Sequence, residues 1–304
     1  MSGAISSTRV SRSGAMKTWS ARAEPNGRLL PSWEIPSWVT YSRRVLGKAL
    51  DAFLDSPLSG IAPWALMAIL AGPGRYEIAV MSALGLSLSV LALTWRRSIP
   101  VHVLEVLGVA YFVVLAAVGL VASSSQKAWL EMWSGEVTNA SLALMALFSL
   151  LIGRPYTTAY ARDATPPAHW DTPLFTRTNM VVTAVWAAAF GFSAGVGFLG
   201  DVLFGSTDNF WTGWILQLAA LFFAVAVTEF YPGYARAKAA AHLLHPVPSW
   251  SRVFEWVPLF VLATGVAGWL LATVSTGLAS DLVVIGAFGT ALLRRRDERA
   301  RARA

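Results

Sequence analysis

Apolar residues in this chain come in continuous blocks rather than in alternation. Eight such blocks lie at about 57–73, 76–94, 99–122, 137–153, 178–200, 210–230, 256–275 and 278–293. A helix rises about 1.5 Å per residue, so roughly 20 apolar residues cross a hydrocarbon core of roughly 30 Å. In lipid every backbone N–H and C=O must be paired internally, which leaves only helices and closed barrels. Barrel strands alternate apolar and polar positions, and these blocks do not. The pattern predicts an all-α fold: a polytopic transmembrane helical bundle of about eight spans. The first block is short enough to read as either a span or a re-entrant segment.

The flanking pattern divides the chain further. Residues 1–27 are rich in Ser, Arg, Ala and Gly without apolar periodicity and are expected to form a disordered basic tail. Within 28–56, the pairs Val45/Leu46, Ala49/Leu50 and Phe53/Leu54 recur at helical spacing. Arg43, Arg44, Lys48, Asp51 and Asp55 take the other side. That is the pattern of an amphipathic helix on a membrane surface. Residues 57–231 then hold a six-span core, 232–255 a cytoplasmic linker, 256–293 a transmembrane hairpin and 294–304 a basic tail. The first apolar block begins too late for a cleavable signal peptide.

Charge fixes an expected orientation. Of the 24 Lys and Arg residues, all but Arg75 and Lys127 fall on one side of an eight-span arrangement. Basic loops stay in the cytoplasm, so both termini are expected there. Trp129, Trp133, Trp211 and Trp214 fall at the expected outer interface, and Trp95 and Trp256 at the inner one. The segment Lys127–Trp133 is expected to lie along the outer surface.

Composition narrows the function classes. The chain is 55% hydrophobic and only 13% charged, against about 25% charged in a soluble domain. The net charge is +7. Its basic residues sit in tails and loops, where they meet anionic lipid headgroups, so no nucleic acid partner is expected. The absence of cysteine removes thiolate, disulfide and iron–sulfur chemistry. There is no phosphate loop, no HExxH, no GxSxG and no pair of carboxylates at catalytic spacing. No cofactor or metal is implied, and nothing positive points to an enzyme. The expected partners are the lipid bilayer and other membrane proteins.

Ionisable residues inside spans are candidate functional positions. His102 and Glu105 share one helical face at i and i+3. They suit a proton relay or a cation site, or else an interfacial position near Arg96 and Arg97. Ala187, Gly191 and Gly195 repeat at spacing four, the pattern of close helix packing in a bundle or of a homo-oligomer face, with Val182 on the lipid side. Asn139-Ala140-Ser141 matches a glycosylation sequon by chance.

Residues 152–190 read IGRPYTTAYARDATPPAHWDTPLFTRTNMVVTAVWAAAF. Gly153-Arg154-Pro155 closes one span. Pro167 and Trp170 follow, and Arg177-Thr178-Asn179 leads to Trp186-Ala187 and Phe190. Over about 57–231 this order resembles the inner-membrane septation protein A family. The longer Trp170-to-Asn179 stretch, the hairpin 256–293 and the N-terminal arm depart from it. The resemblance implies a bacterial cytoplasmic membrane and a non-enzymatic scaffold or accessory role in envelope assembly or septation. Arg154, Asn179 and Trp186 are the motif positions. The alternative is a small-solute or lipid transporter using the His102/Glu105 face.

Overall fold

The structure, a computed structural model, describes residues 47, 50, 51, 53, 54, 57–72, 74–205, 209–240 and 247–301. Of the compact unit 1–49 only Gly47 is described, and it is helical. The basic tail, most of the amphipathic segment and residues 302–304 lie outside the described residues. Residues 50–304 form a second unit.

Every long element among the described residues is helical. α1 is Pro57–Leu70, α2 Tyr76–Arg96, α3 Val103–Val121 and α4 Ser124–Leu151. A short α5, Thr157–Asp163, precedes α6, Pro173–Phe204. A π-helical turn, Phe210–Ile215, opens into α7, Leu216–Ala239, and α8, Val257–Leu270, pairs with α9, Thr276–Arg301. Among the described residues seven helices are long and apolar enough to cross a membrane, and Leu58–Leu70 is a shorter apolar one. The chain is a multi-pass helical membrane protein. Its outside is apolar, as lipid requires: Leu120, Leu144, Phe148, Leu203 and Phe288 are all exposed.

α4 and α6 run longer than their apolar blocks. α4 is capped by Ser123, whose hydroxyl accepts from Gln126 N while Gln126 Oε1 accepts from Ser123 N at 2.8 Å, a capping box. Lys127–Trp133 is therefore the first part of α4 rather than a surface joint. Its charges lower the local hydropathy without breaking the helix. α6 is capped by Thr172 with Pro173 in its first turn, and ends on Gly205 at φ 64°. That left-handed position suits glycine.

α7 passes through Pro232 to Ala239, so residues 232–239 are helix rather than linker. Proline removes one donor, but the apolar flank and the neighbouring elements hold the turn. Trp250 packs its ring on Phe230, Tyr231 and Tyr234 at 5.1–6.2 Å between centroids. The chain thus folds back onto α7 before α8 begins.

The starts of α2 and α4 lie together, since Lys127 pairs with Glu77 at 2.6 Å, and Tyr76 Oη reaches Leu115 O in the second half of α3 at 2.8 Å. The start of α3 instead meets α5, since His102 pairs with Asp163 at 2.8 Å; this end, which follows Arg96 and Arg97 in the chain, is here called the basic end. The core draws on α1 to α7, with Trp64, Met67, Tyr76, Phe112, Leu142, Trp186 and Ala224 buried together. α8 and α9 pack on each other through absent side chains. A Cβ at Gly265 would meet Ala279 O and Leu282 Cβ at 2.8 Å, and one at Gly286 would collide with Leu262 and Pro258. Small residues let two backbones approach this closely.

Candidate functional site

Two polar clusters sit inside the bundle, one toward each end. The cluster at the basic end is built on the first turn of α3. Glu105 is only 4% exposed. Its Oε2 accepts from His102 N at 3.3 Å, and its Oε1 accepts from Ser59 Oγ on α1 at 3.4 Å. His102 Nε2 lies 2.8 Å from Asp163 Oδ2 on α5, and the His102 ring sits 4.1 Å from that of Tyr160. α5 therefore closes over the start of α3.

Tyr160 Oη is buried without a hydrogen-bond partner, aimed at Gly60, where a Cβ would come within 2.6 Å. Burial first, then the charges of Glu105 and Asp163, push the Tyr160 phenol well above its ordinary range. Tyr156 is pushed up too, by burial and then by Tyr160. Neither phenol ionises near neutral pH, so the acid–base groups here are Glu105, His102 and Asp163.

Glu105 forms no ion pair with Arg96 or Arg97 among the described residues. Arg97 pairs with Asp51. The Glu105 carboxylate is instead held by Ser59 of a neighbouring helix and by the backbone N–H of His102.

The second cluster lies in the other half of the bundle and joins α4, α6 and the π turn. Glu136 on α4 and Asp201 on α6 are electrostatic neighbours. Asp201 is 4% exposed, and its Oδ2 is buried with no hydrogen-bond partner. Neither carboxyl forms an ion pair with any described residue. Glycines make the space. Glu136 Oε1 lies where a Gly197 Cβ would be, and the Thr212 hydroxyl where a Gly200 Cβ would be.

The π turn supplies the rest. Asn209 Oδ1 accepts from Trp211 N and Thr212 N at 3.0 and 3.1 Å and starts the turn. Gln217 Nε2 donates to Thr212 O at 3.0 Å, and Gln217 Oε1 accepts from Asn139 Nδ2 at 3.1 Å. Wide turns of this kind recur at functional positions. Asn139, the sequon asparagine, is thus buried in a helix.

A cavity of about 60 Å³ adjoins this cluster, lined among others by Trp64, Asn139, Trp186, Phe190, Ser193 and Gln217. Comparisons with family models, with curated proteins and with solved structures return no match to this chain. The site therefore rests on its own chemistry.

The other sequence candidates fall elsewhere. Arg154 is exposed beside Gly153 at φ 67°. Asn179 is buried, with its Nδ2 donating to Phe175 O at 2.9 Å and its carbonyl accepting from Thr157 Oγ1 at 3.2 Å. Thr157 also meets Thr183 at 2.7 Å. Trp186 Nε1 donates to Thr228 Oγ1 on α7 at 2.9 Å. Asn179 and Trp186 therefore anchor α5 and α7 to α6.

Ala187 is buried, but Gly191 and Gly195 are exposed with nothing within 4 Å of an added Cβ. Val182, expected toward lipid, is in the core. The reason is angular. Steps of four residues advance about 40° each on a straight helix, so a spacing-four stripe winds outward. The inward stripe of α6 is Trp186, Phe190, Ser193, Gly197 and Gly200, alternating steps of four and three.

No short-range spacing signals the acid pair. Glu136 and Asp201 each stand alone in sequence. The one available sign was an acidic residue near the end of each of two apolar blocks, Glu136 before the fourth and Asp201 after the fifth.

Proposed function

We propose that this chain is a proton-coupled small-solute transporter of a bacterial cytoplasmic membrane, with both ends on the cytoplasmic side. The observation that carries this reading is Glu105, an acid buried between helices with partners on α1 and in its own first turn. Ionisable residues inside spans are rare and mark ion or substrate pathways, so an acid buried at the start of α3 is a functional candidate by default. His102 and Asp163 extend the titratable path from Glu105 toward the basic end. The acid pair in the opposite half gives the bundle a second proton-accepting point. The orientation rests on the 22 of 24 basic residues that share one side.

A second reading, an envelope or septation scaffold, is favoured by a different observation. Asn179 and Trp186, which carry the family resemblance, are packing anchors, and Gly191 and Gly195 leave a bare strip on the outside of α6.

The experiment separating them is charge displacement on a solid-supported membrane carrying the full chain, with a panel of amino, amide and carboxylate solutes. Wild-type protein should give solute-dependent displacement, and Glu105→Gln at equal incorporation should lose it. Full signal from Glu105→Gln would remove Glu105 from the mechanism. Silence of the wild type across the panel would favour the scaffold.

A further inference from the structure

The cavity beside the acid pair has a wall whose chemistry selects its occupant. Trp64, Trp186 and Phe190 supply aromatic surface, and Asn139, Ser193 and Gln217 supply polar atoms. Three of the N–H groups on this wall are engaged elsewhere. Asn139 Nδ2 donates to Gln217, Gln217 Nε2 to Thr212 O, and Trp186 Nε1 to Thr228. Trp64 Nε1 is buried without a hydrogen-bond partner and faces Gly108, which is not part of the wall, 3.2 Å from where a Cβ there would stand.

Acceptors remain. Asn139 is 8% exposed and its Oδ1 has no partner among the described residues. Ser193 is 6% exposed and its hydroxyl has none either. An acceptor that lines a cavity and lacks a donor is a place for a ligand that donates.

Charge supports the same sign. The wall carries no Lys, Arg or His. Gln217 links the cavity to the acid pair: its Nε2 stands 3.1 Å from the Gly197 Cβ position, and Glu136 Oε1 stands closer still to the same point. Acids in a low-dielectric interior repel anions and attract cations far more strongly than in water. Aromatic faces add attraction for an alkylated ammonium.

We infer that this cavity is a binding site for a small organic ammonium ion, held by Asn139 Oδ1 and Ser193 Oγ in the field of Glu136 and Asp201. The cavity volume suits a cation of a few heavy atoms. This deepens the transport reading by naming a ligand class, and its test is equilibrium binding, which needs no transport.

The experiment titrates methylammonium chloride into the purified full chain in detergent, replacing sodium chloride at constant ionic strength. The readouts are tryptophan fluorescence, to which Trp64 and Trp186 contribute, and isothermal calorimetry. Formamide and sodium acetate serve as neutral and anionic comparators. Saturable methylammonium binding at least tenfold tighter than that of either comparator is expected. Glu136→Gln and Asp201→Asn should each weaken it several-fold, whereas Glu131→Gln on the same helix should not.

Equal binding of formamide, or no change when sodium is replaced, overturns the proposal. Neither result depends on whether the variants fold. Ser193→Leu, which fills the cavity, should abolish binding, and binding that survives it also overturns the site. Methylammonium binding without any solute-driven charge displacement would overturn the transport reading and leave the site standing. Displacement that requires Glu105 without methylammonium binding would do the reverse.

Discussion

Asn139 and Gln217, 78 residues apart in the chain, join amide to amide across α4 and α7 at 3.1 Å. The bond lies between the cavity and the acid pair and bears on both. Interhelical hydrogen bonds in membranes average about 0.6 kcal/mol and reach about 1.7. A double-mutant cycle of Asn139→Ala and Gln217→Ala, read by equilibrium unfolding in mixed detergent, should give a coupling in that range. Strict additivity would mean the two amides do not depend on each other.

Glycines on α6 divide into two classes. Gly197→Ala and Gly200→Ala place a methyl on Glu136 and Thr212, while Gly191→Ala and Gly195→Ala meet open space. The first two should destabilise by about 1–3 kcal/mol, as overpacking does. The second two should be neutral or slightly stabilising, since alanine favours helix. Melting temperatures in detergent check this, and the reverse order would mean that the inward face of α6 is misassigned.

The indole N–H of Trp186 should be separable from its bulk. Trp186→Phe removes the donor to Thr228 and part of the ring, and Thr228→Val removes the acceptor. The Thr228→Val change alone should cost about 1–3 kcal/mol, because it strands a buried donor. Adding Trp186→Phe to it should then cost less than Trp186→Phe does alone. A cost for the pair equal to the sum of the single changes would contradict the bond.

The α8–α9 hairpin should depend on Gly265 more than on any exposed residue of the same helices. Gly265→Leu drives a side chain into Ala279 O and Leu282, whereas Leu259→Ala alters an exposed position. Limited proteolysis of the 271–275 connection should accelerate in the first variant and stay at wild-type rate in the second.

At the basic end, His102 and Asp163 tie the start of α3 to α5. Asp163→Asn keeps a hydrogen-bond acceptor and should be mild, whereas Asp163→Ala should loosen α5. Hydrogen exchange over 157–163 should rise in the alanine variant and remain near wild type in the asparagine one.

Much of the fold was legible along the chain. Apolar blocks mark helices because lipid offers no other way to pair the backbone. Their ends were read less well. Hydropathy falls at Lys127, Glu131 and Pro232, yet caps and neighbouring contacts carry α4 and α7 past those residues. His102 and Glu105 were visible as charges in an apolar block, but not their partners. Ser59 and Asp163 lie 46 and 61 residues away from the groups they meet.

By itself the sequence determined that this is an all-helical, multi-pass membrane protein without cysteine chemistry, because composition and block length depend only on local order. The tertiary structure decided which side of each helix faces inward, which glycines are close contacts, and that Glu136 and Asp201 meet at all. Those outcomes depend on rotation and depth of one helix against another. A helix of fixed sequence can present any stripe inward until a neighbour's shape selects one. On α6 the selection fell to Trp186, Phe190 and Ser193, since that stripe alone brings Gly197 and Gly200 under Glu136 and Thr212.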